Sequence, residues 1–169
     1  MKCKWSLFIL LSLLFTGCGG STREVAGITY VISGSHKSAY AKSYDWDVSS
    51  QTVSLDLVQE LSGATVTGIG NEEEAFHIEG ASAAPDSDWE EVLFTVYVGP
   101  TIETIVMEDS GFFEGEENGT VQFYHPVFEF AVDYANAIYS SENGVLIRND
   151  TGEPEPSVLP LYPAEKALQ

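Results

Sequence analysis

Acidic side chains are the residues of this 169-residue chain whose number first suggests chemistry, since Asp and Glu total 26. The densest loop-like run reads Pro85-Asp86-Ser87-Asp88-Trp89-Glu90-Glu91. Because Ca²⁺ takes roughly six to eight oxygen ligands, many of them carboxylates, the run indicates a candidate calcium site. Its ligands would be Asp86, Asp88, Glu90 and Glu91. The alternative is that these acids are solvated, as in the loops of any strongly acidic protein.

Acylation of a cysteine is the second chemistry that the sequence suggests. The run Phe15-Thr16-Gly17-Cys18 follows a positive start at Lys2 and Lys4 and an apolar stretch from Trp5 to Phe15. This is the layout of a bacterial lipoprotein signal peptide with its processing site. The apolar stretch is also shorter than the roughly 20 residues that a membrane-spanning helix needs.

The signal peptide predicts where the mature protein lies. We expect residues 1–17 to be removed and Cys18 to carry acyl chains such as palmitate, which anchor the protein in a membrane outside the cytoplasm. Residues 18–24 would form the lipidated tether. Gly19 after the cysteine favours the outer membrane if the cell is Gram-negative. Because Cys3 leaves with the leader, the mature domain has no thiol left for a disulfide, for catalysis or for a metal site.

No catalytic constellation stands out, so the sequence predicts a protein that is not an enzyme. Gly-x-Ser-x-Gly is absent, and the histidines His36, His77 and His125 are isolated from one another. His77 with Glu79 suggests part of a transition-metal site. No second nitrogen ligand stands at a helical or strand spacing, which favours a structural or surface histidine. A hydrolase with two catalytic carboxylates is the remaining alternative, since 26 acids offer many pairs.

The charge balance excludes some partners. The formal net charge is −19, and no Lys or Arg occurs from Ser43 to Ile147. Such a surface repels nucleic acid and anionic lipid headgroups and attracts cations or a basic partner. We therefore expect no nucleic-acid partner, attachment to the membrane through the lipid anchor, and an envelope protein or a glycan as ligand.

Aromatic residues give a lead to such a ligand. If exposed, they would form a platform for a glycan or a protein partner. If buried, they would close the ends of a β-sandwich. Six of them lie in loop-like stretches: Tyr40, Tyr44, Trp46, Trp89, Phe112 and Phe113.

Short runs rich in Val, Ile, Thr and aromatic residues recur along the chain and predict a mainly β domain. In Val53-Ser54-Leu55-Asp56-Leu57 apolar and polar residues alternate, as in a strand with one buried face. Asn118-Gly119 and Asn143-Gly144 predict tight turns. The predicted strands are Val25–Ser33, Thr52–Leu61, Ala64–Ile69, Ala75–Ile78, Val92–Val98, Thr101–Met107, Thr120–Tyr124 and Val145–Arg148.

One segment, Pro126–Ser141, shows a helical spacing instead. Its polar residues recur at intervals of four, three and four, which places them on one stripe of a helix: Glu129, Asp133, Asn136 and Ser140. Pro126 suits a first helical turn. The spacing predicts one C-terminal amphipathic helix over residues 126–141, with a strand plus a loop as the alternative.

The run Ile28-Thr29-Tyr30-Val31-Ile32-Ser33-Gly34-Ser35, followed by Lys37-Ser38-Ala39, resembles the opening strand of the small extracytoplasmic β-sandwich domains of the MmpS type. The similar order that follows is Val53-Ser54-Leu55, Phe94–Val98, Glu103–Met107 and Ser110-Gly111. The resemblance covers residues 28–111. It implies an immunoglobulin-like sandwich and an accessory role beside an export system, although such domains hang from an uncleaved helix instead of a lipid.

These features together predict a mainly β fold. We expect an antiparallel immunoglobulin-like β-sandwich over residues 25–150, with the helix packed on it, and a Pro-rich tail over residues 151–169. The expected function is a non-catalytic binding or envelope-assembly module. The alternative is a calcium-dependent binding or adhesion module.

Overall fold

The computed structural model describes residues 20–155 except 36, 49 and 51, together with residue 158. This part of the chain is mainly β and contains no α-helix. Its strands are β1 Ser21–Val25, β2 Ile28–Ile32, β3 Ser38–Asp45, β4 Val53–Asp56, β5 Glu60–Leu61, β6 Ala64–Ile69, β7 His77–Glu79, β8 Trp89–Val98, β9 Thr104–Ile105, β10 Phe113–Glu117, β11 Thr120–Val132, β12 Tyr139–Glu142 and β13 Val145–Arg148.

Tight two-residue turns connect four of the strand pairs. Each has positive φ at both residues, and each ends in glycine: Ala26-Gly27, Ser62-Gly63, Asn118-Gly119 and Asn143-Gly144. Positive φ at both positions matches the type I′ turn, whose twist fits a β-hairpin. The two predicted Asn-Gly turns are confirmed. The turn after Val25 corrects the prediction of one strand over Val25–Ser33, because the chain reverses there and only Ile28–Ile32 continues as β2.

The strands form two main sheets. Sheet A has the order β1-β2-β3-β6-β5, with β7 also paired to β3 and β9 to β6. Its β3–β6, β3–β7 and β6–β9 pairs are parallel. Sheet B has the order β10-β11-β8-β4, and its β11–β8 and β8–β4 pairs are parallel. Both sheets are mixed, so an antiparallel immunoglobulin-like sandwich is not confirmed. Residue alternation identifies a strand but carries no information on the direction of its partner.

Both sheets bury side chains in one hydrophobic core. Tyr30 and Ile69 of sheet A and Phe94 and Phe128 of sheet B are at most 1% exposed. Trp46 follows β3, and its ring centroid lies 5.0 Å from that of Phe94. Burial of large side chains from both sheets is the main source of stability in such a domain.

The predicted helix over Pro126–Ser141 is wrong. Residues Thr120–Val132 form β11, a turn follows, and Tyr139–Glu142 form β12. The regular spacing of the polar residues was misleading because these residues lie in different structural elements. Glu129 lies within β11, whereas Asn136 is only 5% exposed in the turn.

The two ends of the described chain pack on the domain. Residues 21–24 of the expected tether lie in β1, which pairs with β2 at the edge of sheet A. At the start of the expected tail, Pro154 bridges to Ile147, and Val158 is fully buried in the core. Folded structure therefore extends on both sides of the domain that was expected over residues 25–150.

Candidate functional site

The four acids of the candidate calcium site are exposed and spread over two kinds of structure. Asp86 and Asp88 lie in the loop before β8, whereas Glu90 and Glu91 lie in β8. Successive strand residues point to opposite faces of a sheet, so the two glutamates diverge. Within the described ranges, no group of three or more His, Cys, Asp or Glu side chains is arranged to hold a metal ion. Calcium binding stays a prediction from the sequence.

His77 and Glu79, which the sequence paired, lie on one face of β7 and line an open cleft of about 430 Å³. Glu108 and Asp109 line the same cleft from the segment after β9. The Nδ1 atom of His77 lies 3.9 Å from Oε1 of Glu108. The hydroxyl of Ser43 donates a hydrogen bond of 2.5 Å to Oε1 of Glu79. The cleft is therefore an acidic depression with one imidazole, suited to attract a cation.

A second polar cluster joins β3 to the segment before β7. The ammonium of Lys42 lies 2.7 Å from Oε1 of Glu74, and the hydroxyl of Tyr40 donates to Oε2 of Glu74 at 2.9 Å. The hydrogen bond from Lys42 lowers the pKa of Glu74, and the same bond raises the pKa of Lys42. Burial raises the pKa of Tyr40. This cluster is a mutually satisfied ion pair, so its role is structural.

The aromatic residues singled out in the sequence divide between the core and the surface. Trp46 and Phe113 are 5% and 2% exposed and belong to the core. Trp89, in contrast, is 44% exposed. The remaining three are half-buried: Tyr40, Tyr44 and Phe112. The platform hypothesis is therefore wrong for Trp46 and Phe113, and Trp89 is the member that offers a contact surface.

Two neighbouring rings hold Trp89 in place. Its centroid lies 5.3 Å from that of Phe112, with the planes at 72°, and 5.5 Å from that of His125. The Nε2 atom of His125 lies 3.1 Å from Oδ1 of Asp109, which also accepts a hydrogen bond from the N–H of Gly111. Edge-to-face packing of aromatic rings is favourable. The exposed indole is thus positioned before any ligand arrives.

Trp89 belongs to the face of sheet B that points away from the core, which we call the outer face. The alternation of β8 and β11 places Trp89, Leu93, Tyr97 and Val121 there, with exposures of 44%, 38%, 46% and 54%. Among the described residues these are four of the five exposed large hydrophobic side chains, and the fifth is Tyr134. Apolar residues gathered on one face in this way mark a contact surface.

The neighbouring residues of β11 extend this apolar row at its two ends. The half-buried Phe123 and Ala131 stand in register beside Trp89 and Tyr97, whereas Val127, beside Leu93, is only 3% exposed. The sequence missed this surface because the predicted strand began at Val92, which left Trp89 in the acidic loop. The available signal was the even spacing of Trp89, Leu93 and Tyr97, which places all three on one face of an extended strand.

Acidic residues surround the row on the same face. Their positions follow from strand alternation and register: Asp56 of β4, Glu91 of β8, Glu129 of β11, and Glu114 and Glu116 of β10. Glu129 accepts a hydrogen bond from the hydroxyl of Thr95 at 3.0 Å. The outer face therefore combines large apolar side chains with carboxylates.

Cys18, the predicted lipidation site, lies outside the described residues. In the part of the chain that the structure describes, no helix is long and apolar enough to cross a membrane. Comparison of the chain with protein-family models, with curated proteins and with solved structures finds no match.

Proposed function

We propose that this protein is a lipid-anchored, extracytoplasmic binding or envelope-assembly module that performs no catalysis, and that its ligand docks on the outer face of sheet B. The observation that carries the proposal is the gathering of exposed Trp89, Leu93 and Tyr97 along one strand of that face. Trp and Tyr are the residues that most often dominate binding energy at interfaces.

The packing around Trp89 supports this role. Since Phe112 and His125 already contact its ring, little side-chain freedom is lost when a ligand binds, and preorganisation of this kind raises affinity. The 44% of the indole that stays exposed remains accessible to a ligand.

The lipid anchor at Cys18 supplies the location. Only two residues separate Cys18 from the start of β1 at Ser21, so the anchor would hold the folded domain close to the membrane. An accessory role beside an export system, which the MmpS-type resemblance implies, is one assembly role that suits this placement.

A ligand panel tests the docking surface. The full chain in a nonionic detergent would be tested against neutral oligosaccharides, basic peptides and acidic peptides. The double variant Trp89→Ala, Tyr97→Ala should lose a ligand that the unmodified protein binds. Tyr134→Ala is the control, because Tyr134 is fully exposed but lies in the turn after β11 and not in a strand of sheet B. If the double variant binds every ligand class as well as the unmodified protein does, the outer face is not the docking surface.

Metabolic labelling tests the anchor. An alkyne analogue of palmitate should label the protein in bacteria, and Cys18→Ala should abolish the label. Cys3→Ala is the matched control, because Cys3 is the other cysteine of the chain and lies in the predicted leader. Labelling that persists in Cys18→Ala contradicts the proposed lipidation.

A further inference from the structure

We infer that the occupant of the outer face is a basic polypeptide segment, which places arginine or lysine side chains beside apolar ones. This inference rests on the proposed function, because it names the ligand of the same surface.

Sheet B contains no Lys or Arg. All of its strands fall between Ser43 and Ile147, where the chain has neither residue. The nearest cation in sequence is Lys42 of sheet A, and its ammonium already pairs with Glu74 at 2.7 Å. The basic residue of sheet B is His125, and its Nε2 already lies 3.1 Å from Asp109, so the field over the outer face favours a positively charged partner.

Strand register sets acids beside the apolar row at both of its ends. At one end Glu114 pairs with Phe123, which in turn pairs with Trp89. At the other end Asp56 pairs with Tyr97. Neighbouring strands lie about 4.8 Å apart, so each exposed ring has a carboxylate one or two strands away.

The cleft beside β7 extends the acidic surface at the Trp89 end. Asp109 lines that cleft and also contacts His125, whose ring packs against that of Trp89 at 58°. The side chains of Glu108 and Asp109 are both 59% exposed. A cationic group near Trp89 would therefore meet carboxylates from two directions.

A ring next to a carboxylate suits a guanidinium in particular. Arginine stacks on the face of Trp or Tyr and forms paired hydrogen bonds with a carboxylate. The apolar centre at Leu93 takes the apolar side chains of the same segment. Trp89 and Tyr97 are eight positions apart in one strand, roughly 26 Å at the usual rise. An extended partner segment of about eight residues would cover this length.

A neutral glycan fits these observations less well. It would use the exposed rings, but the uniform negative charge of sheet B would add nothing to its recognition. A divalent cation is also a poorer occupant, because the described residues contain no cluster suited to a metal.

Fluorescence anisotropy of a labelled peptide tests the inference on the full chain in a nonionic detergent. The probe alternates arginine and leucine over about ten residues, enough to span the row. In the matched peptide citrulline replaces each arginine, which removes the charge and keeps the shape. We expect binding of the arginine peptide that weakens with added salt, and at least about tenfold weaker binding of the citrulline peptide.

Protein variants separate docking from general attraction to an acidic protein. Trp89→Ala should weaken binding of the arginine peptide about tenfold or more, as loss of a dominant interface residue does. Tyr134→Ala should leave affinity within about twofold. Equal losses in both variants, or no loss in either, overturn the inference.

A charge comparison completes the test. The double variant Glu114→Gln, Glu116→Gln removes two acids of the outer face. It should weaken binding of the arginine peptide more than the control Glu24→Gln, Glu60→Gln does, which removes two exposed acids from sheet A. Equal effects of the two pairs overturn the inference in favour of nonspecific attraction. If a neutral hexasaccharide binds in a Trp89-dependent manner while the arginine peptide does not, the proposed function survives and the basic partner is wrong. If no probe depends on Trp89, the docking surface is wrong as well.

Discussion

The Oδ1 atom of Asp109 lies 3.1 Å from Nε2 of His125, and this contact joins the acidic cleft beside β7 to the aromatic cluster of sheet B. The same oxygen accepts the N–H of Gly111, so one carboxylate fixes both a loop and a ring. Because the ring of His125 packs at tilted angles against the rings of Trp89 and Phe112, Asp109 acts on Trp89 indirectly, as a positioning residue.

Removal of that carboxylate should loosen Trp89. We expect Asp109→Ala to cost about 0.5–1.5 kcal/mol in the free energy of unfolding and to shift the ¹⁹F resonance of fluorotryptophan at position 89. Asp109→Asn keeps an oxygen acceptor and should preserve most of the resonance position. Trp46 is the internal reference, since it is buried in the core. A Trp89 resonance that does not respond to Asp109→Ala would show that the contact has no positioning role.

Asn136 should contribute strongly to stability. Its spacing in the sequence suggested an exposed position on a helix, but the side chain is buried. Its Nδ2 donates to the carbonyl oxygens of Gly99 and Ile102, and its Oδ1 accepts from two backbone N–H groups in the same turn. Asn136→Ala leaves these buried groups without partners and should lower the free energy of unfolding by about 2–4 kcal/mol. The exposed Ser140→Ala should stay within about 0.5 kcal/mol. Urea unfolding measures both, and similar small losses would contradict the structure.

The ion pair of Glu74 should make the stability of the protein depend on pH in the acid range. Its pKa is lowered from the ordinary value of 4.5, chiefly by the hydrogen bond from Lys42. The stabilisation is therefore present above pH 4.5 and is lost as the pH falls through the lower pKa of the folded state. Unfolding curves of Glu74→Gln and the unmodified protein should converge in acid. Glu73→Gln, at the exposed neighbouring position, is the control. A constant difference across the acid range would contradict this linkage.

The ion pair between Lys42 and Glu74 should also stop stabilising the protein at high pH, where Lys42 loses its proton. The hydrogen bond to Glu74 raises the pKa of Lys42 above 10.5. Its contribution is complete below pH 10.5 and declines as the pH rises through the raised value. Lys42→Met should show its largest deficit relative to the unmodified protein between these two limits.

Calcium should act on this protein mainly by screening. Since Asp86, Asp88, Glu90 and Glu91 do not converge in the structure, melting curves in calcium, magnesium and sodium chloride at matched ionic strength should shift equally. A specific site at a hundredfold excess over its Kd would add about 2.7 kcal/mol in calcium alone. Such a calcium-specific shift would favour the calcium-dependent module instead.

Local sequence signals predicted local structure well. The Asn118-Gly119 and Asn143-Gly144 turns formed as predicted, because positive φ at both positions is a property of the dipeptide itself. The strand over Ala64–Ile69 was also predicted correctly. The parallel pairing of β8 with β11 could not be predicted, because it joins segments far apart in sequence and leaves no local mark.

The candidate site was predicted only in fragments. His77 and Glu79 do share a face of β7, as residues two apart in a strand must, whereas a transition-metal site there stays a prediction. The contact of Asp109 with His125 depends on how the loop after β9 approaches β11, which no spacing reveals. Asn136 was predicted wrongly for a different reason. A polar side chain was expected to face water, but it is buried and forms hydrogen bonds with backbone carbonyl groups.

The most direct test of the outer face as a docking surface is a ¹⁹F NMR titration of the fluorotryptophan-labelled full chain with the arginine-leucine peptide. Trp89→Phe assigns the resonance of the exposed indole, and Trp46 reports on the core. We predict that the Trp89 resonance shifts and saturates while that of Trp46 stays in place. Binding with an unmoved Trp89 resonance, or equal shifts at Trp89 and Trp46, would contradict docking on this face.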